Sequence, residues 1–208
     1  MAKVLYIEAS PRKQRSHSIN VAKAFLDAYK SANPSDQIEA LDLWDEPLPA
    51  FDGATIDAKY AVMHGTDPSS SEAVAWKEVE QIFNRFNAAD KYLFSVPMWN
   101  FGIPYILKHY IDVITQPGMA WSFDSETGYS GLVAGKAAVI YSSAGVYHDG
   151  SGAEAFDNQK PYFEAWLGFI GISDVSPVIC APMLAAPEDV DSAVNSAIDE
   201  ARKLAGTF

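Results

Sequence analysis

Three short stretches of this chain carry side chains suited to holding a small ligand. The first is SPRKQRSHS, residues 10–18, which follows the apolar run KVLYIEA. It offers the hydroxyls of Ser10, Ser16 and Ser18, the ring of His17, and no glycine. A helical pattern begins at once after it. Free N–H groups at a helix start, aligned with the helix dipole, favour an anion, and each serine adds a donor. The glycine fingerprints G-x-G-x-x-G and G-x-x-x-x-G-K-[ST] are absent, which argues against a pyrophosphate lying on a tight turn. A longer serine-lined loop suits a terminal monophosphate, held from several sides. Helix capping by Ser16 or Ser18 would explain the same residues, and the sequence leaves both readings open.

The second stretch is PMWNFGIP, 97–104. Asn100 carries both a donor and an acceptor, matching the amide-bearing edge of a planar ring such as the pyrimidine of a flavin. Met98, Trp99 and Phe101 supply apolar and stacking surface. Gly102 permits a tight turn, and Pro104 suits the first turn of a helix. The third stretch is SSAGVYHDGSG, 142–152. Ser142, Ser143, Ala144 and Gly145 are small enough for their backbone to approach a flat ligand, with Tyr147 and His148 at its rim. Taken singly, these two are also explained as a buried aromatic loop and a polar turn. Their common position, each directly after a strand, is what joins them.

The elements that must position these loops are legible as strands alternating with helices. Strand patterns cover about 3–9, 37–43, 90–97, 135–143 and 174–183, the last with Pro177 suggesting a sheet edge. Helical periods cover about 16–33, 75–89, 103–114, 154–171 and 187–206. Several strands are apolar on both faces, which predicts a parallel sheet covered on both sides. In such a sheet ligands bind beyond the carboxyl ends of the strands. Two irregular stretches remain, 44–57 and 115–135; the second contains AWSF…GYSGL, a possible hairpin.

The chain has 208 residues, a length that predicts one domain over 1–208. Its net charge is −12, and its 15 cationic side chains form no basic face, which argues against nucleic acid. No apolar run approaches a membrane span, and the start MAKVLYIEAS does not read as a secretory signal, so a cytoplasmic location is expected. The lone Cys180 reads as a buried small hydrophobe. His17, His64, His109 and His148 are scattered, and no metal site is expected. His109 lies off the apolar face of its helix, which predicts a surface or interface place.

Here the motifs carry a resemblance. The serine loop, DLWDEPLP at 42–49, PMWNFGIP, GLVAGK before the fourth strand, the S-x-x-G loop after it, and LGFIGI at 167–172 are together similar to the FMN-dependent NADH-azoreductases. These are also described as NADH:quinone oxidoreductases, within the flavodoxin-like superfamily. The resemblance runs nearly end to end. It implies a five-stranded parallel sheet in the order 2-1-3-4-5 with helices on both faces, so that the loops after strands one, three and four are neighbours. It implies FMN as cofactor, NADH as electron donor, and quinones or azo compounds as acceptors. Ser10, Ser16, His17 and Ser18 would hold the phosphate region. Met98, Trp99, Asn100 and Phe101, with Ser142, Ser143, Ala144 and Gly145, would flank the ring system. Phe101, Trp121 and Tyr147 would wall the substrate pocket. Homodimers with sites at the subunit interface are implied as well; the aromatic segments 44–51 and 119–123 are longer than a compact monomer needs.

The chain departs from the family pattern at three places. Trp99 stands where some members have Tyr, Ser143-Ala144-Gly145 where an Arg is often followed by two glycines, and Tyr147 where a His is often found. No acid/base side chain is singled out, because the cofactor carries the redox chemistry. A flavodoxin-type electron carrier, a flavin-free scaffold of the same fold, and an FAD-using quinone reductase or a chromate or flavin reductase stand as alternatives.

Overall fold

A computed structural model describes residues 1–66 and 69–208. Five parallel strands form the sheet: β1 (Lys3–Glu8), β2 (Gln37–Asp42), β3 (Lys91–Pro97), β6 (Lys136–Ser142) and β7 (Asp174–Cys180). Their spatial order is β2-β1-β3-β6-β7. The first to fifth parallel strands therefore stand in the order 2-1-3-4-5, as expected. β1, β3 and β6 are buried along nearly their whole length because helices cover both faces. Pro177 lies in β7, the edge strand, where its missing N–H costs no ladder bond.

Each face has its own apolar core. On one, α1 (His17–Ala32) and α6 (Pro187–Ala205) pack Val21, Phe25, Tyr29, Ala197 and Ala201 against Val4, Tyr6, Leu93 and Ile140. The small alanines of α6 let it lie close to α1. On the other, α3 (Ser70–Asn87), α4 (Tyr105–Ile114) and α5 (Lys160–Ile170) bury Phe83, Phe86, Tyr110, Phe163 and Trp166 against Leu5, Phe94 and Val139. No helix is long and apolar enough to cross a membrane among the described residues.

Three element boundaries differ from the sequence reading, each for a local reason. The stretch 44–57, expected to be irregular, runs into a helix, α2 (Gly53–His64). The Asp52 side chain accepts from Ala54 and Thr55 N–H, and Gly65 closes the helix in the left-handed region. α2 lacks an apolar stripe: only Thr55 and Ala58 are buried, while Ile56, Tyr60, Val62 and Met63 are exposed. Periodicity therefore could not announce it. α3 starts five residues before the expected 75, because Ser69 and Glu72 form a reciprocal capping box. The helix expected over 154–171 is broken. A single tight turn at Glu154–Phe156 precedes α5, whose start is set by Asp157 Oδ1, accepting from Gln159 N (2.9 Å) and Lys160 N (3.0 Å).

The expected hairpin is present as β4 (Trp121–Asp124) and β5 (Gly128–Gly131), paired antiparallel. It is fastened to the end of α5 by glycine against glycine. A Cβ on Gly131 would fall 2.2 Å from Gly171 N and 2.3 Å from Ile170 C, both backbone atoms that cannot swing aside. Gly168, one turn earlier in α5, faces open space. Gly131→Ala should destabilise the protein by about 1–3 kcal/mol through overpacking. Gly168→Ala should stabilise it by about 0.5–1 kcal/mol, since a helix interior prefers alanine. Thermal unfolding of the two variants checks both signs.

Candidate functional site

The loops after β1, β3 and β6 meet at the carboxyl edge of the sheet. The serine loop lies between β1 and α1. Ser10, Ser16 and Ser18 are all buried, at 1%, 2% and 0% exposure. Ser16 occupies the N-cap position of α1 but caps nothing with its side chain. Its Oγ instead meets Ser18 Oγ at 3.2 Å. The first intrahelical bond runs from Asn20 N to Ser16 O, so the N–H groups of His17, Ser18 and Ile19 have no partner inside the helix. Of the two readings left open for these serines, the capping one fails on this geometry. A buried helix start with free donors and two turned-in hydroxyls is able to receive an acceptor from outside.

A cleft of about 300 Å³ opens onto this start. Ser10, Arg12, Ser16 and His17 line it from the first loop, Met98 and Trp99 from the second, and Ser142, Ser143 and Ala144 from the third. Its walls contain serine hydroxyls and two basic side chains, and no carboxylate. The nearby acids are occupied elsewhere. Lys13 Nζ pairs with Asp42 and lies 3.5 Å from Asp45 Oδ2, tying the serine loop to the end of β2. Glu8, at the base of the loop, has its pKa raised by burial and by the neighbouring Asp42 charge.

The second loop is a two-residue turn. Trp99 N donates to Gly102 O at 2.8 Å and Gly102 N to Trp99 O at 3.0 Å. The turn residues Asn100 and Phe101 both have positive φ, 48° and 69°. Asn tolerates the left-handed region; an aromatic residue rarely enters it. The turn is over-determined by its surroundings. Met98 N donates to Ser142 O at 2.7 Å, and Asn158 N to Phe101 O at 2.9 Å. Phe101 is held 46% exposed at the mouth of the site.

The third loop is fixed from below. Met183 N donates to Ser143 O and Ala144 O, and Leu184 N to Ala144 O. Ser143 Oγ donates to Gly145 O at 2.8 Å. Tyr147 folds back over Gly145: a Cβ there would lie 3.3 Å from the Tyr147 hydroxyl. Tyr147 meets Phe101 edge-on at 6.5 Å between ring centroids, and Phe156 meets Phe101 at 5.2 Å. A second cleft, about 600 Å³, shares Met98 and Ser143 with the first and runs beneath Tyr147 to the buried Gln159.

Of the residues singled out from sequence, Ser10, Ser16, His17, Met98, Trp99, Ser142, Ser143 and Ala144 line the first cleft and Tyr147 the second, Ser18, Asn100, Phe101 and Gly145 stand in the same loops without lining either, and one lies apart. Trp121, read as a wall of the same pocket as Phe101 and Tyr147, sits in β4. Its ring packs on Tyr129 at 5.5 Å and Phe169 at 5.7 Å, and it lines neither cleft. Met183 and Leu184, from the segment after β7, line the first cleft, and Phe156, from the turn before α5, packs on Phe101; no site role for them was read from sequence. Trp44 and Phe51, singled out from sequence only as part of an aromatic segment suited to a second subunit, also pack within the chain, Trp44 on Trp99 and Tyr105 and Phe51 on the core. His109, expected off the apolar face of its helix, is half-buried with Nε2 donating to Pro49 O at 2.8 Å. Cys180 is buried and its thiol is pushed up to about 11 by burial, so it is no nucleophile. Among the described residues, no three His, Cys, Asp or Glu side chains group to hold a metal.

A protein-family model for the flavodoxin-like fold, Flavodoxin_2, matches residues 2–205. The chain belongs to this family. Among its relatives is a protein of Desulfotalea psychrophila, 49% identical over 184 residues, 88% of this chain and 87% of that one. Another, from Burkholderia lata, is 45% identical over the full length of both. The first is named FMN-dependent NADH:quinone oxidoreductase, the second FMN-dependent NADH:quinone oxidoreductase 9. The fold is shared with a crystal structure of azoreductase from Bacillus anthracis, at a TM-score of 0.92 and 31% identity over the whole of both chains. It is also shared with an FMN-dependent NADH-azoreductase of the same species in complex with FMN, at a TM-score of 0.86 and 28% identity over 99% of this chain and 100% of that one.

The positive φ at residue 100 separates two kinds of substitution. Asn100→Ala puts a Cβ residue without local polar support into the left-handed region and should lower stability by about 1 kcal/mol. Asn100→Gly removes the same side chain without that strain and should stay within about 0.5 kcal/mol of the parent. Urea unfolding of both variants without ligand measures the difference, and the glycine variant is then the clean probe of the amide.

Proposed function

We propose that this protein is an FMN-dependent NADH:quinone oxidoreductase that also reduces azo compounds. The observation that carries the reading is the start of α1: free N–H groups and buried serine hydroxyls, in a cleft without a carboxylate. That donor set fits a phosphate dianion, which accepts and never donates when fully ionised. It does not require overall positive charge, which a chain of net charge −12 lacks. The relatives' names and the FMN complex of a structural neighbour support the same cofactor.

Ser10, Ser16, His17 and Ser18 would hold the phosphate. Met98, Trp99, Asn100 and Phe101 would lie along one side of the ring system, and Ser142–Gly145 along the other. FMN bound there would accept hydride from NADH and pass two electrons on to the acceptor. NADH, a proton and a quinone then give NAD⁺ and hydroquinone. Two NADH and two protons convert one azo compound to two amines. The chain's own part is to hold the ring edge with the Asn100 amide, to bring backbone close at Ala144 and Gly145, and to offer an aromatic surface at Phe101 and Tyr147. Donor and acceptor would use that one surface in turn.

The reading includes a homodimer. Phe123 and Tyr129 stand 61% and 64% exposed on the hairpin, beside Trp121. Since Trp121 does not reach the cleft of its own chain, its place in a substrate pocket would be that of a second copy. A non-catalytic electron carrier is the less supported alternative, because Phe101 and Tyr147 form an open surface for a planar substrate.

Two measurements test the reading. With NADH and a quinone varied together, double-reciprocal plots should be parallel; intersecting lines would mean that both substrates bind at once. Replacing Ser16 and Ser18 together by Ala removes two hydroxyls facing a charged acceptor, each contributing about 1.5–3 kcal/mol. FMN affinity should fall at least tenfold, while riboflavin, which lacks the phosphate, binds the double variant as it binds the parent. Equal losses for both flavins would contradict a phosphate site at this helix.

A further inference from the structure

We infer that Trp44 is a positioning residue for the bound cofactor, acting on both halves of the site from the far edge of the sheet. This rests on the FMN reading above. Trp44 follows β2, and no part of it lines either cleft. Its ring packs against Trp99 at 5.8 Å and edge-on against Tyr105 at 5.4 Å. Those two residues bracket the positive-φ turn Asn100–Phe101 and the start of α4. Its indole Nε1 donates to Ala9 O at 3.1 Å. Ala9 is the last residue before the serine loop, fully buried, with its own N–H on Ser95 O.

The hydrogen bond to Ala9 O has a consequence for the next residue. A trans peptide is planar, with C=O and N–H opposed. Holding Ala9 O toward Trp44 fixes Ser10 N–H in the opposite direction. Ser10 is 1% exposed, lines the cleft, and its N–H has no partner among the described residues. A buried N–H left unpaired is costly unless a ligand accepts from it. The indole therefore presents one more donor to the phosphate, and its ring sets where Trp99 lies.

Trp44 is itself seated by the same carboxylate that holds the loop. Asp42 Oδ1 accepts from Trp44 N at 3.0 Å, and the Asp42 carboxylate also takes the Lys13 ammonium. One residue at the end of β2 thus anchors the serine loop directly through Lys13 and indirectly through Trp44.

The test separates the two ends of Trp44. Trp44→Phe keeps a ring against Trp99 and Tyr105 and deletes the N–H. It should weaken FMN about fivefold, the worth of one neutral hydrogen bond, and leave riboflavin within twofold of the parent. Trp44→Leu removes the ring as well; both flavins should weaken, and the visible absorption bands of bound FMN should shift as Trp99 moves. Trp44→Phe binding FMN as tightly as the parent, or losing both flavins equally, would overturn the proposal. A parent protein that binds neither flavin overturns the functional reading instead. In that event the amide resonance of Ser10 in the ligand-free protein still decides the grip. It should move in Trp44→Phe more than the amides of β7, and an unmoved resonance would overturn the inference.

Discussion

A buried helix start that its own chain does not cap is the constraint on which the rest of this structure turns. Helix N-termini normally find a side chain or water for their free N–H groups. Here the residue at the cap position turns its hydroxyl to Ser18 instead, and the three serines of the loop lie buried at the floor of an open cleft. The arrangement is stable only because neighbouring elements hold it. β1 ends beneath it, Asp42 ties Lys13 from one side, and the third loop closes the cleft from the other. A chain with this acidity has no long-range attraction to offer an anion, so selectivity must come from donors placed at contact range.

The same economy governs the strained turn after β3. Phe101 occupies backbone space that aromatic residues seldom enter, at a cost of about 1–2 kcal/mol. Hydrogen bonds from Met98 to Ser142 and from Asn158 to Phe101, together with Tyr147 and Phe156 around the ring, offset it. What the strain achieves is an aromatic ring presented at the mouth rather than folded into the core. Strain concentrated at a loop where three strands deliver their ends is the usual mark of a functional place.

Much of this architecture could be read from sequence because its signals are local or periodic. Doubly buried strands announce themselves as apolar runs, and their alternation with helices gives the parallel sheet and its edge at Pro177. The loop residues were legible by position, each directly following a strand. Roles were not. Whether Ser16 caps its helix depends on one side-chain torsion, which no pattern encodes. α2 escaped because it exposes more apolar residues than it buries. The break before α5 hung on a single aspartate accepting two N–H groups. What Trp44 and Phe156 do beside the loops escaped because it runs through contacts 35 to 55 residues away in the chain. Trp121 was expected to wall the substrate pocket, yet the fold sends its hairpin to the end of α5, away from its own cleft.

The central claim is that a phosphate dianion lies among donors only, at the start of α1. Phosphorus NMR of the FMN-loaded protein across pH 5 to 8 tests it most directly. A free phosphate monoester takes up its second proton with a pKa of about 6, and its resonance moves through that range. Donors that favour the dianion push that pKa down, out of the window. The account predicts a single bound resonance that stays put from pH 8 to pH 5. A bound resonance that titrates near pH 6 like free FMN would mean a solvent-exposed phosphate, and would contradict it.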